Sequence, residues 1–279
     1  MKKLCVIGDP IAHSLSPRIQ NAMIAALGLP YEYGRQLVRP GETAAWLDRA
    51  RAEGWAGFNA TMPHKTALVP LMDELDEDAR RCGAVNTVCL RDGKALGFNT
   101  DGAGFLRALS ELGVDPQGLN AVILGAGGAA GSVALALGRA GAGVTVCNRT
   151  VDKAAALCAR DSEHLTPAGF DDATLYKVAG AAGLVMNCTS LGMEGTAGRY
   201  ESLDFLEALP VGALVCDAIY APRETALLAR AGALGHPVMN GLPMLLWQGV
   251  LALEQFTGTR FDEAAALSAA RRALDAEAP

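Results

Sequence analysis

Gly125-Ala126-Gly127-Gly128-Ala129-Ala130 offers the plainest chemistry in the chain. It follows an apolar run, Ala121-Val122-Ile123-Leu124, and opens an Ala/Leu-rich stretch that reaches Ala140. The pattern is G-x-G-x-x-A at a strand-to-helix turn. The first glycine makes the turn, the second lets backbone approach a pyrophosphate, and the small last residue lets helix and strand pack closely. Free N–H groups and roughly half a positive charge at the helix start then hold the phosphates. The alternative is a tight connection in any α/β domain, which the strand-turn-helix setting disfavours. The end of the next apolar strand, Val144 to Cys147, bears on which dinucleotide binds. Asp or Glu about there would bond the ribose 2′-hydroxyl of NAD. Here the place is taken by Asn148-Arg149-Thr150, with Lys153 one helical turn later. A carboxylate would repel a 2′-phosphate, whereas a guanidinium can bond it twice and stack on the adenine. NADP is therefore expected at Gly125, Ala126, Gly127, Gly128, Ala129, Asn148, Arg149, Thr150 and Lys153, with a solvated Arg149 as the alternative.

Three earlier segments are more polar than packing requires. Ser14-Leu15-Ser16-Pro17 places two hydroxyls at a helix start, a ready site for a carboxylate. Ordinary capping by Ser16 is the alternative and leaves Ser14 unexplained. Asn59-Ala60-Thr61-Met62-Pro63-His64-Lys65 follows a strand, at the edge where α/β sheets bind ligands. Its Lys65 stands alone between apolar stretches and could equally be a surface lysine. His64 reads as structural rather than catalytic. Asn99-Thr100-Asp101-Gly102 ends a hairpin strand, and Asp101 could instead cap the following helix.

The elements that must carry these residues are short. Leu4 to Ile7 is an apolar strand ending at Gly8. Ser16 is expected as an N-cap with Pro17 at the first helical position and Gly28 as the stop, and Ile19, Met23 and Leu27 share one face. Strands are expected over 31–38, 56–61, 85–90 and 94–99, with Asp92-Gly93 turning a hairpin. Helices are expected over 41–52 and 102–112. Beyond 120, strands at 121–124, 144–147, 184–187 and 213–216 alternate with helices. That alternation argues for a parallel sheet covered on both faces, an α/β fold. Helical sequence returns from Pro243 to Phe256 and from Asp262 to Ala276.

Composition sets the outer limits. With 279 residues, 51% of them hydrophobic, the chain suffices for two domains. A net charge of −6 supplies no overall basic field, which argues against a nucleic-acid partner. Seven cysteines are scattered without a C-x-x-C pair, as expected for buried thiols in a reducing compartment. The four-residue apolar run near the N-terminus is too short for a secretory segment or a membrane span. A cytoplasmic protein with no membrane partner and no metal is expected, because the histidines and cysteines show no ligand spacing. A homodimer is compatible with the sequence but not marked in it.

These motifs together resemble the shikimate dehydrogenase family. Gly8 to Pro17, Asn59 to Lys65, Gly83-Ala84-Val85-Asn86-Thr87 and Asn99-Thr100-Asp101 follow one another in its order. So do the glycine cluster, Asn148-Arg149-Thr150, Asn187 to Met193, Asp217 to Pro222 and Met244 to Gln248. The resemblance implies a substrate-binding domain from residues 1–101 plus 242–279 and a Rossmann-type NADP domain from 102–241. It implies that Lys65 and Asp101 form the catalytic pair at the reacting oxygen, and that Ser14 and Ser16 bind the substrate carboxylate. Thr61, Asn86, Tyr220 and Gln248 would contact that carboxylate or ring hydroxyls. Thr189, in the loop from Asn187, would line the cofactor cleft, with Ala218 and Gly241 near the nicotinamide.

The implied activity is reversible, NADPH-dependent reduction of 3-dehydroshikimate to shikimate, a small-molecule substrate of aromatic amino-acid biosynthesis. A quinate or aminoshikimate dehydrogenase of the same family is the alternative, and a non-catalytic NADP-binding sensor is a reading from another class. The two serines at the anchor favour shikimate by the same resemblance. The chain departs from the usual pattern at Gln20, Ala60, Pro243 and the proline-free stretch from Glu194 to Leu203, without losing a group that the mechanism needs.

Overall fold

The structure, a computed structural model, describes residues 1–276. Met1–Gly104 with the residues from Leu245 onward make one unit and Phe105–Met244 the other. The second unit thus begins and ends three residues later than the sequence suggested. Both divisions fall inside helices.

The first unit opens with β1 (Lys2–Gly8), α1 (Ser16–Ala26), β2 (Tyr31–Leu37), α2 (Thr43–Ala52) and β3 (Gly57–Ala60). β4 (Glu74–Leu75), α3 (Glu77–Cys82), the hairpin β5 (Thr87–Arg91) and β6 (Lys94–Phe98), and the start of α4 (Asp101–Glu111) follow. Its sheet runs β2-β1-β3-β5-β6-β4. β1 pairs parallel with both β2 and β3, but β5 is antiparallel to β3 and β6. The sheet is therefore mixed rather than wholly parallel, because the Asp92-Gly93 turn folds β6 straight back on β5. Both turn residues have positive φ, 51° and 76°, as a two-residue hairpin needs. The core gathers Ile7, Trp46, Phe58, Leu68, Val85 and Val88. Trp46 packs edge-on to Phe58 at 5.9 Å between ring centroids.

The second unit holds β7 (Asn120–Leu124), α5 (Gly128–Arg139), β8 (Gly143–Cys147), α6 (Val151–Cys158), β9 (Leu165–Ala168) and α7 (Asp172–Ala179). It continues through β10 (Leu184–Asn187), β11 (Leu214–Asp217), α8 (Ala226–Ala233) and β12 (Val238–Met239). Its sheet is all parallel in the order β12-β11-β10-β7-β8-β9. This is the dinucleotide-binding order, with the reversal of direction between β7 and β10. The chain then returns to the first unit through α9 (Leu242–Thr257) and α10 (Glu263–Asp275), the latter packed on α1.

The first sheet repeats that logic. The chain goes from β1 outward to β2, then crosses back to β3 on the other side of β1. Loops leaving the carboxyl ends of β1 and β3 therefore diverge over a crevice, the position at which open α/β sheets bind ligands. Ser14 and Ser16 lie on the first of these loops, and Thr61 to Lys65 on the second.

Candidate active site

Gly8 lets the bases of those two loops touch before they part. A Cβ there would fall 2.6 Å from Thr61 Cγ2 and 3.3 Å from the Met62 carbonyl oxygen, so any side chain at this position would displace Thr61. The Asp9 N–H donates to that same carbonyl at 3.1 Å. Ser16 is not the N-cap that its sequence setting suggested. It is the first residue of α1, and Leu15 holds the cap position without a side-chain capping bond. The Ser14 hydroxyl instead accepts from the Ser16 N–H at 3.3 Å. The reason is geometric: Ser14, two residues upstream, already curls over the helix start, which leaves the Ser16 hydroxyl out of the capping role. Ser14, Ser16 and Thr61 are all half-buried.

The turn after β3 is pinned at several points. The His64 N–H donates to the Thr61 carbonyl at 2.9 Å, and the Val85 N–H to the Lys65 carbonyl at 2.8 Å. The His64 ring is 1% exposed, with Nδ1 2.8 Å from Thr43 Oγ1 and Nε2 2.8 Å from the Val38 carbonyl. Only an N–H can meet a carbonyl, so Nε2 carries hydrogen there. His64 thus ties the turn to the connection between β2 and α2, which leaves its neighbour Lys65 pointing at Asp101.

Lys65 Nζ lies 2.6 Å from Asp101 Oδ2, with side-chain exposures of 18% and 6%. Asp101 is the first residue of α4, and its N–H is taken by Asn99 Oδ1 at 3.1 Å. Its carboxylate faces the ammonium and the Asn86 amide rather than serving as a cap: Asn86 Nδ2 donates to Oδ1 at 2.8 Å. That amide also reaches Thr100 Oγ1 at 3.0 Å and Gln248 Oε1 at 3.4 Å. Gln248 arrives on α9 because α4 carries glycine at position 104. A Cβ on Gly104 would sit 2.7 Å from the Gln248 backbone nitrogen and 2.9 Å from its Cα. Four side chains from distant stretches of sequence, Lys65, Asn86, Asp101 and Gln248, therefore meet at one place. A proton donor held against a buried carboxylate, beside amides, can stabilise and protonate an oxygen that gains negative charge.

In the second unit, Gly125 has a φ of +110°, and a Cβ there would touch Thr189 Cγ2 at 3.1 Å and the Cys188 carbonyl oxygen at 3.2 Å. Its N–H donates to the Cys147 carbonyl at 2.8 Å, which sets the turn beside the end of β8. Gly127 holds the N-cap position of α5 with no side-chain cap, and nothing lies within 4 Å of where its Cβ would be. An uncapped helix start open to solvent fits a pyrophosphate. The third small position is Ala130, fully buried against the sheet. Arg149, Thr150 and Lys153 are exposed beyond the end of β8, while Asn148 Nδ2 donates to the Thr150 carbonyl at 2.9 Å. No carboxylate occupies the place where an NAD ribose would be read, so these residues fit NADP.

The ends of β10 and β11 are joined by a network that the sequence did not disclose. Asn187 Oδ1 accepts from the Thr189 N–H at 2.9 Å and its hydroxyl at 2.7 Å, while Asn187 Nδ2 donates to Asp217 Oδ1 at 3.0 Å. Asp217 also accepts from the Ile219 N–H at 2.9 Å and the Thr225 hydroxyl at 2.8 Å. It is 1% exposed, and burial pushes its carboxyl up to about 6 despite these donors. Ala218 and Gly241 are in contact: a Cβ on Gly241 would lie 2.2 Å from the Ala218 carbonyl oxygen. Tyr220, half-buried, follows Ile219, whose carbonyl accepts from the Gly241 N–H at 3.0 Å. Thr189, Ala218, Tyr220 and Gly241 are thus gathered at one end of this sheet.

Comparison with known proteins bears on both units. The shikimate dehydrogenase substrate binding domain matches residues 6–88, and the shikimate 5'-dehydrogenase C-terminal domain matches residues 241–271. A shikimate dehydrogenase (NADP(+)) of Rubrobacter xylanophilus is 46% identical, across 98% of this chain and 95% of its own length. The crystal structure of shikimate 5-dehydrogenase from Thermus thermophilus, in complex with NADP(H) and shikimate, is 38% identical. It superposes with a TM-score of 0.85 over 98% of this chain and 100% of that one. A quinate dehydrogenase from Corynebacterium glutamicum, solved with NAD, is 32% identical with a TM-score of 0.84, covering 96% of this chain and 98% of its own.

Proposed function

The chain belongs to the shikimate dehydrogenase family, and we propose how its own side chains carry out that family's reaction, the reversible NADPH-dependent reduction of 3-dehydroshikimate to shikimate. It is an NADP-dependent oxidoreductase that acts on a CH–OH group. The observation that carries the residue assignment is the 2.6 Å contact between a partly exposed Lys65 and a buried Asp101 that also accepts from Asn86.

When bound, NADPH supplies hydride to the ketone carbon. As charge builds on the ketone oxygen, the Lys65 ammonium hydrogen-bonds it and delivers a proton. Asp101 keeps that ammonium aimed and, in the oxidising direction, helps Lys65 receive the hydroxyl proton. Ser14 and Ser16 hold the substrate carboxylate, and Thr61, Asn86 and Gln248 contact the carboxylate or ring hydroxyls. Together they decide which ring carbon is presented, an effect of orientation. Gly125, Ala126, Gly127, Gly128 and Ala129 hold the pyrophosphate. Asn148, Arg149, Thr150 and Lys153 hold the adenosine 2′-phosphate, while Thr189, Ala218 and Gly241 line the nicotinamide side.

Initial rates with shikimate and with quinate, each with NADP and with NAD, test the reading. Shikimate with NADP should give the highest kcat/KM, favoured by the paired serines at the anchor. A preference for quinate would move the chain to that branch of the family. Lys65→Ala should lose roughly 10²–10⁴ in turnover with little change in substrate KM. Turnover near wild type would remove Lys65 from its role. We place the protein in the cytoplasm, on its reduced, scattered cysteines; among the described residues no helix is long and apolar enough to cross a membrane. Homodimer formation is checked by sedimentation.

A further inference from the structure

Behind Asn86 runs a chain of buried polar side chains, Tyr33, Asn59 and Thr87, that touch neither Lys65 nor Asp101. Tyr33 donates to Asn59 Oδ1 at 2.6 Å, and Asn59 Nδ2 donates to Thr87 Oγ1 at 2.9 Å and to the Asn86 carbonyl at 3.1 Å. The Thr87 hydroxyl donates to Asn86 Oδ1 at 2.9 Å, and the Thr100 N–H donates to the same oxygen at 3.0 Å. Thr87 is 0% exposed, Asn86 2%, Tyr33 4% and Asn59 7%.

Two backbone groups dictate every direction in this chain. The Thr100 N–H can only donate, so the Asn86 oxygen must face it and the Asn86 NH₂ must face Asp101. The Asn86 carbonyl can only accept, so the Asn59 NH₂ must face it, and the Asn59 oxygen is left to Tyr33. Thr87 sits between the two amides. It accepts from Asn59 and spends its single hydrogen on Asn86, so its hydroxyl has one orientation only. Burial pushes the Tyr33 phenol well above its ordinary value, which keeps it a donor. The chain thus ends in an NH₂ donating to Asp101 Oδ1, the polarity that suits Asp101 as partner of Lys65.

We propose that Thr87, backed by Asn59 and Tyr33, is a positioning residue that fixes the face and angle at which the Asn86 amide meets Asp101 and the substrate. The inference rests on the reading of Lys65 and Asp101 above. The test is steady-state kinetics on Thr87→Val, Thr87→Ser and Tyr33→Phe, with Asn86→Ala and the double variant Asn86→Ala/Thr87→Val completing a cycle. Thr87→Val, which keeps shape and loses the hydroxyl, should lower kcat for shikimate about tenfold with the NADP KM unchanged. Thr87→Ser should stay within about threefold of wild type. Tyr33→Phe should lose in the same direction but less, since one link is removed from the far end. In the Asn86→Ala background, Thr87→Val should cost no further activity, because its effect passes through that amide. Wild-type kcat in Thr87→Val, an equal loss in Thr87→Ser, or a full additive loss on top of Asn86→Ala would overturn the inference. Should Thr87→Val fail to fold, wild-type kcat in Tyr33→Phe overturns it instead. Lys65→Ala separates the two levels: if that variant is active the catalytic reading itself fails, whatever Thr87 does.

Discussion

Gly104→Ala sets two effects of opposite sign against each other. Alanine in a helix is ordinarily preferred to glycine by about 1 kcal/mol. At this position, however, the new methyl would meet the Gln248 backbone nitrogen at 2.7 Å, its Cβ at 2.8 Å and its Cα at 2.9 Å. Comfortable contacts between such atoms lie near 3.5–4.0 Å, so α9 must withdraw by about 1 Å. Two of the three atoms met are backbone and cannot rotate aside, which puts the overpacking cost toward the upper end of roughly 1–3 kcal/mol. The net expectation is destabilisation of about 1–2 kcal/mol, a fall of roughly 2–8 °C in Tm for a unit of this size. Gln248 would move with α9, and a displacement of about 1 Å in a positioning group can cost on the order of 10²-fold in kcat/KM. A thermal melt and initial rates with shikimate read both quantities, and NADP binding serves as the control that should not change. A variant with a raised Tm and unaltered kcat/KM would refute the reasoning, since it would show that the close approach of the two helices does not depend on this one missing methyl.

Further outcomes follow from the second unit. Arg149→Asp should weaken NADP by about 10- to 150-fold and NAD far less, and an unchanged cofactor preference in parallel kinetics would remove Arg149 from the 2′-phosphate. Gly241→Ala must push a methyl into the Ala218 carbonyl 2.2 Å away, so Tm and NADP affinity should both fall; wild-type values for both would contradict the packing. The buried Asp217 has a folded pKa raised from 3.8 to about 6. The folded state then binds more protons than the unfolded between those values, and the stability associated with the neutral carboxyl is present at low pH and lost as pH rises through about 6. That rise corresponds to at most roughly 3 kcal/mol. Urea unfolding at both ends of the window should show wild type losing more stability on going to neutral pH than Asp217→Asn does, and parallel curves would count against the assignment.

The parts legible in sequence were those with a strong local signature. An apolar strand, two glycines in fixed register and an Ala-rich helix located β7, the turn and α5 almost to the residue. The Asp-Gly hairpin was equally plain, since few turns demand two positive φ values. Elements with little apolar surface left no such mark. The helix α3, Glu-Asp-Ala-Arg-Arg-Cys, is six residues long and mostly charged, β12 has two residues, and β9 carries Pro167 on a sheet edge where its missing N–H does no harm. The mixed order of the first sheet depends on which strand β3 chooses as neighbour, a tertiary outcome. At the site, residue types in the polar segments singled out Lys65 and Asp101, and the family resemblance added Asn86. Gly104 carried no mark and Thr87 stood in a motif without a role of its own: a glycine within a helix and a threonine within a strand have many ordinary explanations, and only the third dimension shows what stands opposite them. A glycine interrupting an amphipathic helix close to a polar motif was the one available hint.

The bare start of α5 ties the durability of the second unit to metabolite supply. Its first turn has no side chain to satisfy it, so an anion seated there adds to the folded state and not to the unfolded one. Saturation to about a hundred times Kd would contribute about 2.7 kcal/mol, enough to move a melting transition by several degrees. A cell depleted of nucleotide would therefore hold this half of the molecule in its most protease-sensitive form, and replenishment would protect it without any change in synthesis.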